Sequence, residues 1–366
     1  MAVISALKEG YLHVMRQTYQ FDVSGFVPSD RRRFLASAIF HPKWTFKYLK
    51  RLGLFWLLGQ GFLEKQSIER RQGVRLRVLW LNFAAPSLGD SLMDLSPRVL
   101  LEQVDVDLLT DTKNVVLYEH DAWFERVTAD IDEAIKWHAR NPYDLIIMDS
   151  YSPRVLIRKV RIAPLTPFVG IYGFVNGFEI HRTYFAFGRL AFLLRATVDV
   201  KKCPVMSLPP VSLKTCPDQY IALAVGGEWQ FRTYSRWSEV ISASEDMLWV
   251  LVGSENGVDT ATSLSAQFKN VTSHVGQLGL METACIIKNS RLFVGCDGGL
   301  WHIACALEVP SVVLFADVSI FDNHGHRCLR GTDDMDVDAL YSEFEVSTID
   351  PLLIAGRVQS KYQLGA

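Results

Sequence analysis

The sequence predicts an α/β protein made of two Rossmann-like domains facing a cleft, preceded by a helical extension. Two observations carry the α/β expectation. Short apolar runs alternate with helix-like stretches over residues 74–200, and the pattern restarts over 218–345. Such alternation points to βαβ units and parallel sheets. A third observation divides the chain. Between the two patterns lies Cys203 to Gln219, with Pro204, Pro209, Pro210 and Pro217. Proline fixes φ and lacks an amide donor, so this stretch is expected to be an extended linker.

The first pattern opens with Leu76–Asn82 (LRVLWLN), a continuous apolar run suited to a strand buried on both faces. A loop and a helix over Ser91–Gln103 follow, then strands at Val106–Leu109, Leu145–Asp149 and Phe168–Tyr172. The second pattern opens with Tyr220–Val225 and a loop carrying Gly226, Gly227 and Arg232. Helices are expected at Ser238–Asp246, Met281–Lys288 and Gly299–Leu307, and strands at Leu248–Val252, Leu292–Val294 and Ser311–Phe315. The expected organisation is thus an extension (1–73), a first domain (74–202), a linker (203–217), a second domain (218–345) and a tail (346–366) that packs back on the first domain.

Composition narrows the function classes. The chain has 366 residues, 49% of them apolar and 21% charged, with net charge −2, which speaks against a nucleic-acid partner. Residues 1–73 nevertheless carry twelve Lys or Arg against five Asp or Glu. The six cysteines form no C-x-x-C pair, so a zinc knuckle is not expected and a reducing cytoplasmic compartment fits. The N-terminus lacks the basic head and apolar run of a signal peptide. The apolar stretch Gly53–Leu63 falls short of the ~20 residues that cross a bilayer. In the extension, Arg31, Arg32, Arg33, Lys43, Lys47, Lys50 and Arg51 mingle with Phe34, Trp44, Phe46, Tyr48, Phe55 and Trp56. That mixture suits the anionic inner face of the cytoplasmic membrane. Packing on the first domain is the preferred reading, with an oligomer contact as a further alternative.

Several motifs are candidates for chemistry. Ser87-Leu88-Gly89-Asp90 follows the first strand; Gly89 would allow a tight turn and Asp90 sits at a helix start. Asp90 is an N-cap in the plain structural reading and a general base in the functional one, and the two are compatible. Cys296-Asp297-Gly298-Gly299-Leu300-Trp301-His302 follows another strand and opens a helix. Amides at a helix N-terminus hold phosphate, and His302 would face the same ligand. Glu282 can accept from ribose hydroxyls or complement its helix dipole. Arg232 and Arg236, beyond Gly227, can pair with phosphate oxygens or be solvated. Asp322-Asn323-His324-Gly325-His326 is read as a polar loop rather than a metal site. No G-x-G-x-x-G, Walker loop or G-x-S-x-G elbow stands in the positions that such enzymes need.

In this order the pieces resemble the bacterial heptosyltransferase family, glycosyltransferase family 9. Arg77–Gln103 is similar to the family's first strand, Gly-Asp loop and first helix. Val275–Phe315 carries Leu280-Met281-Glu282, the turn Asp297-Gly298-Gly299-x-x-His302 and the Pro310-led strand ending in Leu314-Phe315. Arg236-Trp237 resembles a weaker third signature. The resemblance covers roughly residues 75–330. It implies a GT-B fold and inverting, metal-independent transfer of a sugar from a nucleoside-diphosphate donor such as ADP-heptose. The acceptor would be a surface or lipid-linked glycan of lipopolysaccharide type. No cofactor and no metal are implied. Asp90 would be the general base, with Ser87 and Gly89 on the acceptor side. Glu282 would hold the ribose; Gly227, Arg232, Arg236, Asp297, Gly298, Gly299 and His302 would surround the diphosphate and sugar. The sequence departs from the family where Ser235 and Asn82 replace common lysines and Gly298 replaces Ser or Thr. A catalytically silent scaffold and a sugar-nucleotide epimerase are the alternatives.

Overall fold

The computed structural model describes residues 42–69, 73–85, 87–174, 182–198, 205–209, 216–316 and 336–364. The chain divides into two compact units, 1–201 and 202–366. The motif Asp322–His326 and the prolines Pro204 and Pro210 lie outside the described residues.

The first unit runs α1 (Pro42–Leu57), β1 (Leu76–Asn82), α2 (Leu88–Leu95), β2 (Val104–Thr110), β3 (Arg126–Thr128), α3 (Ile131–Arg140), β4 (Leu145–Met148), α4 (Pro153–Ile162), β5 (Phe168–Gly170) and α5 (Arg182–Leu194). Its five strands are parallel in the order β3-β2-β1-β4-β5. The apolar run of β1 is central, and Val78, Leu79, Trp80 and Leu81 are fully buried there.

The second unit runs β6 (Tyr220–Ala224), α6 (Trp237–Ser242), β7 (Leu248–Val252), α7 (Val258–Gln267), β8 (Val271–Ser273), α8 (Leu280–Asn289), β9 (Leu292–Cys296), α9 (Gly299–Ala306), β10 (Ser311–Ala316), β11 (Val337–Ser342) and α10 (Pro351–Leu364). Its six parallel strands take the order β11-β10-β9-β6-β7-β8. In both sheets the chain winds outward from the first strand, then returns to that strand's other side. The reversals fall between β1 and β4 and between β6 and β9. Loops at such a switch point part to opposite faces and leave a crevice at the carboxyl ends of the strands.

The structure corrects two expectations. The helix expected over Ser91–Gln103 begins earlier, at Leu88, and gives way to a 3-10 turn over Ser96–Leu100. Pro97 accounts for the change, since it cannot donate into an α-helical ladder. The tail expected to return to the first domain belongs to the second unit. Ile354, Ala355 and Val358 of α10 join that unit's core, and Gln359 Nε2 donates to Ala243 O at 2.7 Å. The described residues of the extension, 42–69, pack on the first unit, the preferred sequence reading. Phe55 of α1 lies 5.1 Å from the Tyr151 ring, and Arg51 Nη1 donates to Phe174 O at 2.5 Å.

Candidate active site

Each unit gathers polar side chains at its switch point. In the first, α2 begins just beyond β1. Its N-cap is Ser87, not Asp90: Ser87 Oγ accepts from Asp90 N at 3.2 Å and donates to Asp90 Oδ2 at 3.0 Å. Gly89 lies within the first helical turn, so the chain reverses before it and the tight turn expected there is absent. Asp90 is therefore held by its own helix start, and it is buried.

Two residues with no motif complete this group. Asp94 stands four residues after Asp90, on the same helical face. Arg182, which opens α5, places Nη1 3.2 Å from Asp90 Oδ1. Its Nε and Nη2 hold Asp94 at 2.8 and 2.5 Å. Tyr172 Oη donates to Asp94 Oδ1 at 2.6 Å. Burial pushes the Asp94 carboxyl up, against the attraction of Arg182. Burial likewise opposes the Arg182 charge, but Asp90 and Asp94 outweigh it and keep the guanidinium firmly protonated.

Asp149, directly after β4, crosses the switch point. Its Oδ2 accepts from the amides of Phe83 and Ala84, in the loop leading to Ser87. Burial raises its pKa to about 7, although the backbone amides of Ala84, Phe83 and Ser150 favour the charged form. An acid ending an apolar strand is a signal the sequence does carry, in LIIMD.

In the second unit the corresponding group lies beyond β6 and β9. Asp297 follows β9, and Gly298, extended at φ 177°, is the N-cap of α9. No side chain caps that helix, so its first-turn amides stay available to an anion. Arg232 Nη1 lies 3.1 Å from Asp297 Oδ2, and His302 Nε2 lies 3.9 Å from Asp297 Oδ1. All three are largely buried, with side-chain exposures of 15%, 4% and 7% for Arg232, Asp297 and His302. Trp301 is fully buried against His302 and Phe315. Gly227 is required at its place, because a Cβ there would collide with Thr233 Oγ1.

Two expected members are otherwise engaged. Arg236 grips Glu239 through Nε and Nη2 at 2.7 and 2.8 Å on the surface. Glu282 Oε2 accepts from Gly279 N at 2.9 Å and closes the start of α8, as its helix position alone would have it. Among the described residues no group of three His, Cys, Asp or Glu could hold a metal ion. Nor is any described helix long and apolar enough to cross a membrane.

Residues 195–320 match the model of the family described as glycosyltransferase family 9 (heptosyltransferase). No curated protein matches the chain. Solved structures do. A glycosyl transferase family 9 protein from Veillonella parvula DSM 2008 is 13% identical, with a TM-score of 0.64 over 79% of this chain and 97% of its own. The E. coli ADP-heptose LPS heptosyltransferase II is 16% identical, with a TM-score of 0.60 over 79% and 99%. E. coli heptosyltransferase WaaC with ADP is 16% identical, with a TM-score of 0.58 over 78% and 100%. At these identities the structural likeness speaks for the fold, and the matched segment contains the whole Arg232–Asp297–His302 group. Residues 195–320 are thus similar to glycosyltransferase family 9 (heptosyltransferase), and the chain has the GT-B fold.

Proposed function

We propose that this glycosyltransferase moves a heptose-like sugar from a nucleoside diphosphate to a hydroxyl of a surface or lipid-linked glycan, with inversion and without a metal. ADP-heptose is the donor that the heptosyltransferase resemblance favours. The observation that carries the reading is the convergence of Arg232, Asp297 and His302 at the uncapped start of α9, within the family-matched segment.

In this reading the second unit takes the donor. The amides opening α9 and the Arg232 guanidinium meet the diphosphate, and Glu282 reaches the ribose hydroxyls by leaving its contact with Gly279. These donors stabilise the negative charge that grows on the departing diphosphate. The first unit takes the acceptor. Asp90 removes the hydroxyl proton as the acceptor oxygen bonds to the anomeric carbon, while the bond from that carbon to the diphosphate breaks. Arg182 supplies the charge that compensates Asp90 and Asp94, and so acts as a positioning residue. A lipid-linked acceptor would bring the enzyme to the inner face of the cytoplasmic membrane. Of residues 31–56, offered by the sequence for that contact, 31–41 lie outside the described residues.

The test is turnover of ADP-heptose with a truncated lipopolysaccharide as acceptor. Asp90→Asn is expected to lower transfer by about 10²- to 10⁴-fold, the range of general-base catalysis, while ADP binding stays intact. Transfer by this variant at the wild-type rate would refute the role of Asp90. Formation of an epimer without acceptor would favour the epimerase reading.

A further inference from the structure

The outward face of α1 is not the surface of an ordinary globular domain. Its inner stripe, Thr45, Tyr48, Arg51 and Phe55, is buried against the first unit. The opposite stripe carries Phe46, Leu49, Lys50, Gly53, Trp56 and Leu57 at steps of three and four residues, and all of these are exposed. The apolar surface continues past the helix end. Leu57 is 82% exposed and Phe62, in the next turn, is 83% exposed. Gln60 of the same turn donates through Nε2 to Pro164 O at 3.4 Å, and Leu165, the residue after Pro164, is 82% exposed. Three large apolar side chains therefore stand almost wholly in solvent around one junction. Buried Lys159 pins that junction, its Nζ donating to Gln60 Oε1 at 2.6 Å and to Pro164 O at 3.0 Å. Isolated exposed apolar residues are common, but a clustered set on a fixed element marks a contact surface.

Charge selects the occupant. Residues 42–63 contain not one Asp or Glu, and of their basic residues Arg51 is turned inward while Lys47 is half-buried and Lys50 exposed. Glu64, the first acid beyond them, is turned inward to accept from the Tyr151 hydroxyl. Lys50 lies within the apolar stripe, and Lys65 is exposed just past the junction. A protein partner would have to desolvate those amines, and lysine is depleted at protein interfaces for that reason. At a bilayer surface the aliphatic stems lie along the acyl boundary while the amines reach lipid phosphates. Trp56 is likewise suited to the interfacial layer.

We infer that the outward face of α1, together with Phe62 and Leu165, docks the first unit on an anionic lipid bilayer. The contact is interfacial and does not span the membrane, in keeping with a short helix whose other face is committed to the core. It rests on the described residues alone and is independent of any transferase activity.

The test uses the full chain and vesicles of phosphatidylcholine, with and without phosphatidylglycerol. Wild-type protein should co-sediment with the anionic vesicles, less with the neutral ones, and less again as salt is raised. The double variant Leu57→Ser/Phe62→Ser, which removes only exposed side chains, should partition at least about tenfold more weakly. Its thermal midpoint should equal that of the wild type. Equal vesicle binding by variant and wild type, or binding by neither, would overturn the inference. So would a wild-type dimer that the double variant dissociates while vesicle binding is unchanged, since a second copy would then be the occupant.

Discussion

Arg182 bridges Asp90 and Asp94, with Nη1 3.2 Å from one carboxylate while Nε and Nη2 hold the other at 2.8 and 2.5 Å. One buried cation thus compensates two buried anions one helical turn apart, and it fixes the start of α5 against α2. Removing it leaves both carboxylates uncompensated. Arg182→Gln should destabilise the protein by about 3–5 kcal/mol, the cost of breaking a buried pair, with Arg182→Lys recovering part of that. Denaturant unfolding of the two variants measures this directly. A loss below about 1 kcal/mol, the level of a surface pair, would contradict the bridge.

Gly227 and Gly298 predict opposite responses. A Cβ on Gly227 meets Thr233 Oγ1, which already donates to Trp229 O at 3.0 Å. Gly227→Ala should therefore cost about 1–3 kcal/mol of stability, as overpacking does. At Gly298 a Cβ would meet only Cys296 O, at 3.8 Å, and φ is extended. Gly298→Ser should leave the thermal midpoint unchanged. Its hydroxyl, donating to an anion held on the opening amides of α9, should tighten diphosphate binding by up to about tenfold, one hydrogen bond's worth. Calorimetry on the folded variants checks both.

Arg232 is the cation that the Asp297 group offers to a diphosphate. Arg232→Ala should weaken nucleotide binding by about tenfold to a hundredfold, the worth of a charge-assisted contact. Arg236→Ala, whose guanidinium is held by Glu239, should leave it within about twofold. Equal losses in the two variants would contradict the difference between their surroundings.

Asp149 makes stability depend on pH. Its folded pKa of about 7 lies above the unfolded value, near 3.8. The fold therefore binds this proton more tightly than the unfolded chain does. The stability it contributes is fully present below the unfolded value and is lost as pH rises through 7, at about 1.4 kcal/mol per pH unit. Asp149→Asn should lack this component, so the difference between variant and wild type should shift in the variant's favour from pH 5 to pH 8. A pH-independent difference would contradict the assignment.

Much of the framework is legible in the residues themselves. LRVLWLN and YIALA read as central strands because burial on both faces demands unbroken apolar runs. The Asp297–His302 turn is legible because its glycines open a helix directly after a strand. Less visible are β3, β8 and β11: the first two have three residues each, and β11 is only partly buried, so its pattern is weak. The place of the tail is not legible, because the apolar residues of α10 do not say which core they serve. In the first unit, Asp94 could have been found from its spacing of four to Asp90. Arg182 could not, since only the fold brings α5 to α2. Arg236 and Glu282 show the reverse: charge and position singled them out, and the local structure engages both with their own helix starts.

The most direct test of the central claim is calorimetric titration of the protein with ADP, GDP, UDP and CDP, first with a chelator and then with Mg²⁺. The account predicts selective binding of one diphosphate, ADP by resemblance, with an affinity that Mg²⁺ does not change and that Arg232→Ala weakens. Absence of binding to all four, or binding that requires the metal, would contradict it.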